Sequence, residues 1–140
     1  MADANIITAI CEILKADGEV TALAGRRVFG DELPAREAKA MPRHAIVVHP
    51  SGGASMAMGS YLNHDAQRFD LFCYGSTPFE ADALRRACRA PLADVRRRVV
   101  AGCLIHWIEP AGGFFSARDP DAAWPRTFQS FQVFYALQEV

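Results

Sequence analysis

The stretch Gln67-Arg68-Phe69-Asp70-Leu71-Phe72-Cys73-Tyr74-Gly75-Ser76-Thr77-Pro78-Phe79-Glu80 decides how the rest of the chain is read. Its first eight residues alternate. Phe69, Leu71 and Cys73 fall on one face and Arg68, Asp70, Phe72 and Tyr74 on the other, the period-two pattern of a strand. Gly75-Ser76 breaks the strand, and the next four residues open a helix. Thr77 can accept from the free N–H groups of the first turn, Pro78 stands where its missing N–H costs nothing, and Glu80 completes a capping box. Ala81, Leu84, Ala87 and Cys88 then form an apolar stripe, with Asp82, Arg85, Arg86 and Arg89 over much of the remainder. Pro91 is expected to end or bend this helix. A strand that delivers a helix onto its own apolar face is a scaffold without chemistry.

Toward the N-terminus, Ala45-Ile46-Val47-Val48-His49 is a compact β-branched strand closed by Pro50. Between the two strands lies a small, glycine-bearing segment, residues 51–61, with Met56, Met58 and Tyr61 at its far end. It reads as a flexible arm spanning residues 50–64 of an antiparallel hairpin, with a plain loop as the alternative. Asp3 or Asn5 caps an N-terminal helix with Ile6, Ile7, Ile10, Ile13 and Leu14 on one stripe, and Asp17-Gly18 stops it with a left-handed exit at Gly18. Residues 19–24 make a second helical turn, Arg27-Val28-Phe29 is a short extended piece, and residues 30–42 read as a polar surface loop.

Toward the C-terminus, residues 92–100 have no clear pattern. Residues 103–109 form a strand with Cys103, Ile105 and Trp107 on one side and Leu104, His106 and Ile108 on the other, closed by Pro110. Residues 114–124 read as a long loop in which Arg118-Asp119-Pro120-Asp121 is a turn. Residues 127–137 form the last strand, with Gln129, Phe131, Val133, Tyr135 and Leu137 alternating against Ser130, Gln132, Phe134 and Ala136. The resulting expectation is an α+β two-layer domain over residues 1–140. It has a mostly antiparallel four-stranded sheet with two main helices packed on one face.

The formal net charge of −1 gives the chain as a whole no long-range attraction to nucleic acid, yet six of its 15 Lys and Arg residues lie between Arg85 and Arg98. That cluster is either a solvated face or a surface for an acidic partner or a phosphate backbone. No window approaches the roughly 18 apolar residues of a membrane span, and no basic, apolar leader opens the chain. Cys11, Cys73, Cys88 and Cys103 are far apart and form no CxxC, which fits reduced, buried thiols in a protein made in the cytoplasm.

A catalytic reading finds little footing. His44, His49, His64 and His106 have no second ligand at helical spacing, so no zinc pattern exists. Neither GxSxG nor a phosphate-cradling GxxxxGK[ST] occurs. No cofactor is implied. A small metal-dependent hydrolase or nuclease built on Asp119, Asp121 and His106 is the competing class, against a simple turn capped by Asp119.

The order and spacing of these pieces resemble the tail-terminator, or tail-completion, proteins of long-tailed phages and gene-transfer agents. The resemblance runs nearly the full length. It covers Ile10-Cys11-Glu12-Ile13-Leu14-Lys15-Ala16-Asp17-Gly18 through Arg26-Arg27-Val28-Phe29, the strand, break and helix of residues 67–92, and Arg118-Asp119-Pro120-Asp121 with the strand to Tyr135. It implies a structural virion protein without enzymatic activity or cofactors. Such a protein, made in the host cytoplasm, sits at the tail–neck junction of the virion, and a head-side neck or connector adaptor is the alternative. The implied partners are further copies in a ring, usually a hexamer, the tail tube protein and the neck protein. DNA is passing cargo, and no membrane is involved. On that expectation Met56, Met58, Tyr61, Phe72 and Tyr74 are candidates for contact with the tube or a neighbouring subunit. Arg96, Arg97 and Arg98 either line the channel or meet an acidic partner.

Overall fold

The structure is a computed structural model that describes residues 2–53 and 63–140 of the 140. The elements run α1 (Ile6–Ala16), α2 (Gly18–Ala24), β1 (Val28–Gly30), α3 (Ala35–Ala38), β2 (Ala45–Gly52), β3 (His64–Tyr74), α4 (Pro78–Ala93), β4 (Arg96–Val100), β5 (Cys103–Arg118) and β6 (Pro125–Ala136). Among the described residues they build one six-stranded sheet of order β1-β2-β3-β6-β5-β4, in which the β1–β2 pair is parallel and the others are antiparallel. The α+β class and the antiparallel character agree with the sequence. The count of four strands does not: β1 adds an edge beside β2, and β4 adds the opposite edge beside β5.

The deciding stretch behaves as its pattern dictates. Phe69, Leu71 and Cys73 are fully buried against Leu84 and Cys88 of α4, whose thiol and stripe face them. Thr77 caps α4 by accepting from the Glu80 N–H at 3.2 Å, and Glu80 returns by accepting from the Ser76 N–H at 2.9 Å, one residue earlier than the expected donor. Helix α1 is capped by Asn5 and lays Ile6, Ala9, Ile10, Ile13 and Leu14 into the same core. Ile46 and Val48 of β2 and Phe131, Val133 and Tyr135 of β6 complete it, with Phe69 and Phe131 stacked at 5.5 Å.

Several boundaries move for local reasons. Gly18 makes no left-handed exit. Asp17 ends α1 and its carboxylate caps α2, accepting from Glu19 and Val20, so Gly18 begins the second helix. Pro91 neither ends nor visibly breaks α4, which continues to Ala93. The proline lies in the last turn, where it forfeits one hydrogen bond, and Leu92 and Val95 beyond it are fully buried. Pro50 does not close β2, and Pro110 does not close β5. The supposed loop at residues 114–124 is strand as far as Arg118, with a turn only at its end. There the expected turn is present, because the Asp119 carboxylate accepts from the N–H groups of Asp121 and Ala122. The patternless residues 92–100 hold β4, joined to β5 by a two-residue turn in which Ala101 (φ 49°) and Gly102 (φ 76°) are both left-handed.

The most consequential change is a bulge at His106. Ile105 pairs with Tyr135 but Trp107 pairs with Phe134, so one extra residue sits in β5. Such an insertion reverses which residues face the core. Cys103, Ile105 and Ile108 are therefore buried, while Trp107, expected beside Ile105, turns to the opposite face and is 38% exposed.

Candidate functional site

Helices α1, α2 and α4 occupy one face of the sheet, and the residues that alternate with the core line the other. Near the β1 edge this second face is covered. Tyr74, Ala45 and Val47 form a small buried cluster with Phe29, Leu33, Met41 and Trp124, and Trp124 meets the Tyr74 ring edge-on at 6.2 Å. Glu37 of α3 is itself buried and takes a two-pronged hydrogen bond from Arg43, at 2.8 and 3.0 Å. That bond, with the charges of Arg43, Arg27 and Arg36, holds its carboxyl below the ordinary value against the opposing effect of burial.

Farther across, the face is open and aromatic. Phe72, Phe128 and Phe115 sit on adjacent strands with ring centres 5.6 and 5.5 Å apart, and the Arg126 guanidinium lies 4.8 Å above Phe72. Phe115 is 57% exposed. A polar band follows, in which Ser130 donates to Asp70 at 2.6 Å and accepts from Arg68 at 3.1 Å. Beyond it Trp107 stacks on Phe134 at 4.3 Å.

Trp107 borders a cleft of about 450 Å³ whose other walls are Arg96, Arg97 and His106. The left-handed backbone at Arg97 (φ 47°) lets two successive arginines reach this one space. Arg96 donates to the main-chain carbonyls of Ala93 and Val95, at the C-terminal end of α4 where a cation is favoured. His106 meets His64 across β6, with 2.9 Å between their ring nitrogens. Burial, followed by the charges of His64 and Arg97, pushes the His106 pKa down. Arg98 points elsewhere, into a pocket on the helix side with Ile13, Asp17 and Asp94.

The candidate residues thus separate. Tyr74 packs inside the subunit, Phe72 is half-buried in the aromatic row, and Arg96 and Arg97 come together while Arg98 does not. Met56, Met58 and Tyr61 lie outside the described residues. Sequence reasoning missed the His64–His106 contact, which depends on β3 and β5 flanking β6, and the cleft, which depends on the bulge that turns Trp107 outward. The aromatic row left a trace in the spacing of Phe72 and Phe128, each opposite a core position.

Two of the groups weighed for catalysis, Asp119 and His106, have other partners. Asp119 holds its own turn and pairs with Arg126 at 3.5 Å. Burial pushes the Cys11 and Cys103 thiols up to about 11, and it pushes Cys73 well above the ordinary range, with Cys88 against it adding to the rise. Protonated thiols are poor nucleophiles. Among the described residues no group of three or more His, Cys, Asp or Glu is placed to hold a metal ion, and no helix is long and apolar enough to cross a membrane.

A family model described as tail completion protein gp17 matches residues 8–136. Among solved structures the chain is similar to one from the virion of a native gene transfer agent (GTA) particle. The identity is 16%, the TM-score is 0.68, and the alignment covers 94% of each chain. At that identity the likeness is one of fold. No curated protein matches the chain.

Proposed function

The chain belongs to the tail completion protein gp17 family, and from that premise we propose that it assembles into a ring that caps the tail tube. As a member it is a structural phage-tail protein, and the family is one of structural virion proteins rather than enzymes. The ring, a hexamer, halts polymerisation of the tube and joins the tail to the neck, leaving a central channel through which DNA passes. The fold shared with a chain of a gene-transfer-agent virion supports a place in a virion, and the place proposed there is the tail–neck junction.

One observation carries this reading. The domain uses one face of its sheet for its own core and leaves aromatic side chains, Phe115 and Trp107 foremost, on the other. Exposed aromatics beside a polar band are what a protein contact needs, because they contribute large apolar area at small entropic cost. Phe72 belongs to that surface. Met56, Met58 and Tyr61 are proposed to dock on the tube or on a neighbouring subunit, an assignment made from their sequence alone. Particles assembled with and without the protein, compared by electron microscopy, test the proposal. Tails are expected to end at uniform length and to join heads only when it is present. Overlong or headless tails are expected from a Met56→Asp, Met58→Asp variant that still folds. Tails of normal length in the complete absence of the protein would sink the capping role.

A further inference from the structure

We propose that the cleft beside β4 is the socket by which one copy of this chain holds the next, its Arg96 and Arg97 receiving Asp31 and Glu32 from beyond β1 of the neighbouring copy. This rests on the ring reading and names the two surfaces that close the ring.

The first support is where the arginines are already committed. Arg85 is buried, pairs with Asp82 at 2.8 Å and lies 3.9 Å over Phe114, and Arg86 pairs with the same aspartate at 3.0 Å. Those two belong to the subunit's own packing. Among the described residues no carboxylate lies within ion-pair distance of Arg96 or Arg97, and the imidazoles of His106 and His64 adjoin them. Among the described residues neither arginine of the cleft has an ion-pair partner, and both stand beside an indole that can cover the stem of an incoming acidic side chain. Val99, 55% exposed on the same edge strand, adds apolar contact.

The second support is how charge is divided. Residues 85–98 hold six arginines against one aspartate, a balance of +5. The other nine basic and 15 acidic residues leave −6 on the rest of the chain. With Arg85 and Arg86 held by Asp82 and Arg98 turned to the helix side, Arg96 and Arg97 are the arginines at the β4 cleft, and the exposed Asp31–Glu32 pair of another copy complements them.

The third support is topology. β1 and β4 are the two ends of the sheet order, so they lie on opposite edges of the subunit. A contact between unlike patches on opposite edges is the heterologous kind that closes into rings. Asp31 follows β1 in a left-handed conformation (φ 71°) with 71% of its side chain exposed and His49 at 3.4 Å, and Glu32 beside it is exposed. The exposed bases Arg36 and Lys39 come later in the chain, on and after α3.

Charge reversal in pairs tests the pairing. Light scattering and negative-stain imaging of the full chain should show rings at low salt for the unmodified protein. Arg96→Glu with Arg97→Glu, and separately Asp31→Arg with Glu32→Arg, should each reduce the mass to the single chain's 15.3 kDa while circular dichroism still shows a folded chain with a cooperative thermal transition. Mixing the two variants should restore rings, because every interface in an alternating ring again joins opposite charges. Rings from either variant alone, or no rings from the mixture, would overturn the pairing while leaving the ring itself standing. Unmodified protein that stays monomeric at every salt concentration and on tail ends would remove the ring and the pairing together. Loss of labelled duplex DNA binding in the Arg96→Glu, Arg97→Glu variant, with its ring mass unchanged, would assign the cleft to nucleic acid instead.

Discussion

Glu37 illustrates what one side chain can report about this fold. A glutamate within a polar stretch reads as a surface residue, yet it is only 7% exposed and lies under Arg43, with Arg27 at 4.0 Å. Nothing local marks it, because one arginine comes ten residues earlier and the other six later. Its pKa is lowered in the folded protein, chiefly by the hydrogen bond from Arg43. The linked stability is therefore present above the unfolded value near 4.5 and is lost as pH falls through the lower folded value. The unfolding midpoint of the native chain should drop more steeply below about pH 4.5 than that of Glu37→Gln. The variant should be less stable at neutral pH and flatter in acid. Thermal melts of both proteins between pH 7 and 3 check this, and parallel curves would contradict it. The same lesson applies to His106 and His64, which are 42 residues apart and meet because β3 and β5 flank β6.

Elements show a sharper division. β3 and α4 were legible because capping and alternation are properties of neighbouring residues. Three of the failures share a cause, since Pro50, Pro91 and Pro110 each read as a stop while tertiary packing carries the element past it. Pro91 is followed by buried Leu92, and Pro110 remains in β5 because the paired strand β6 continues opposite it. Residues 111–113 are taken up as a second irregularity in that pairing, which brings Phe114 opposite Gln129 and Phe115 opposite Phe128. The joint between β3 and α4 is a true break with a steric reason. A Cβ at Gly75 would come within 2.5 Å of the Ala81 nitrogen and 2.9 Å of Glu80, and these are mostly backbone atoms that cannot give way. Gly75→Ala should destabilise the protein by about 1–3 kcal/mol or more, as overpacking does. Gly18→Ala, with nothing within 4 Å of its Cβ, should be neutral or slightly stabilising. Denaturant unfolding of the two variants separates these outcomes, and equal stability would mean that the joint relaxes.

For the whole molecule, we propose that residues 1–140 unfold as one unit. The strands at both ends of the chain join a single sheet, and β6 lies at its centre between β3 and β5. Far-ultraviolet circular dichroism and tryptophan fluorescence should therefore report one coincident thermal transition, since Trp124 and Trp107 sit at opposite ends of the second face. Two separated transitions would point to independent units. The sequence by itself determined the α+β class, the faces of β3 and β6, the capped helix that covers them and the resemblance to tail completion proteins. All of these rest on periods of two or 3.6 residues, on caps or on the order of elements along the chain. Only the tertiary structure decided that β4 and β1 form the edges, that Trp107 leaves the core, and that Arg96 and Arg97 share a cleft while Arg98 faces the helices. Strand order and register are set by partners tens of residues away, and one extra residue at His106 is enough to reverse a face that the local pattern assigns to the core.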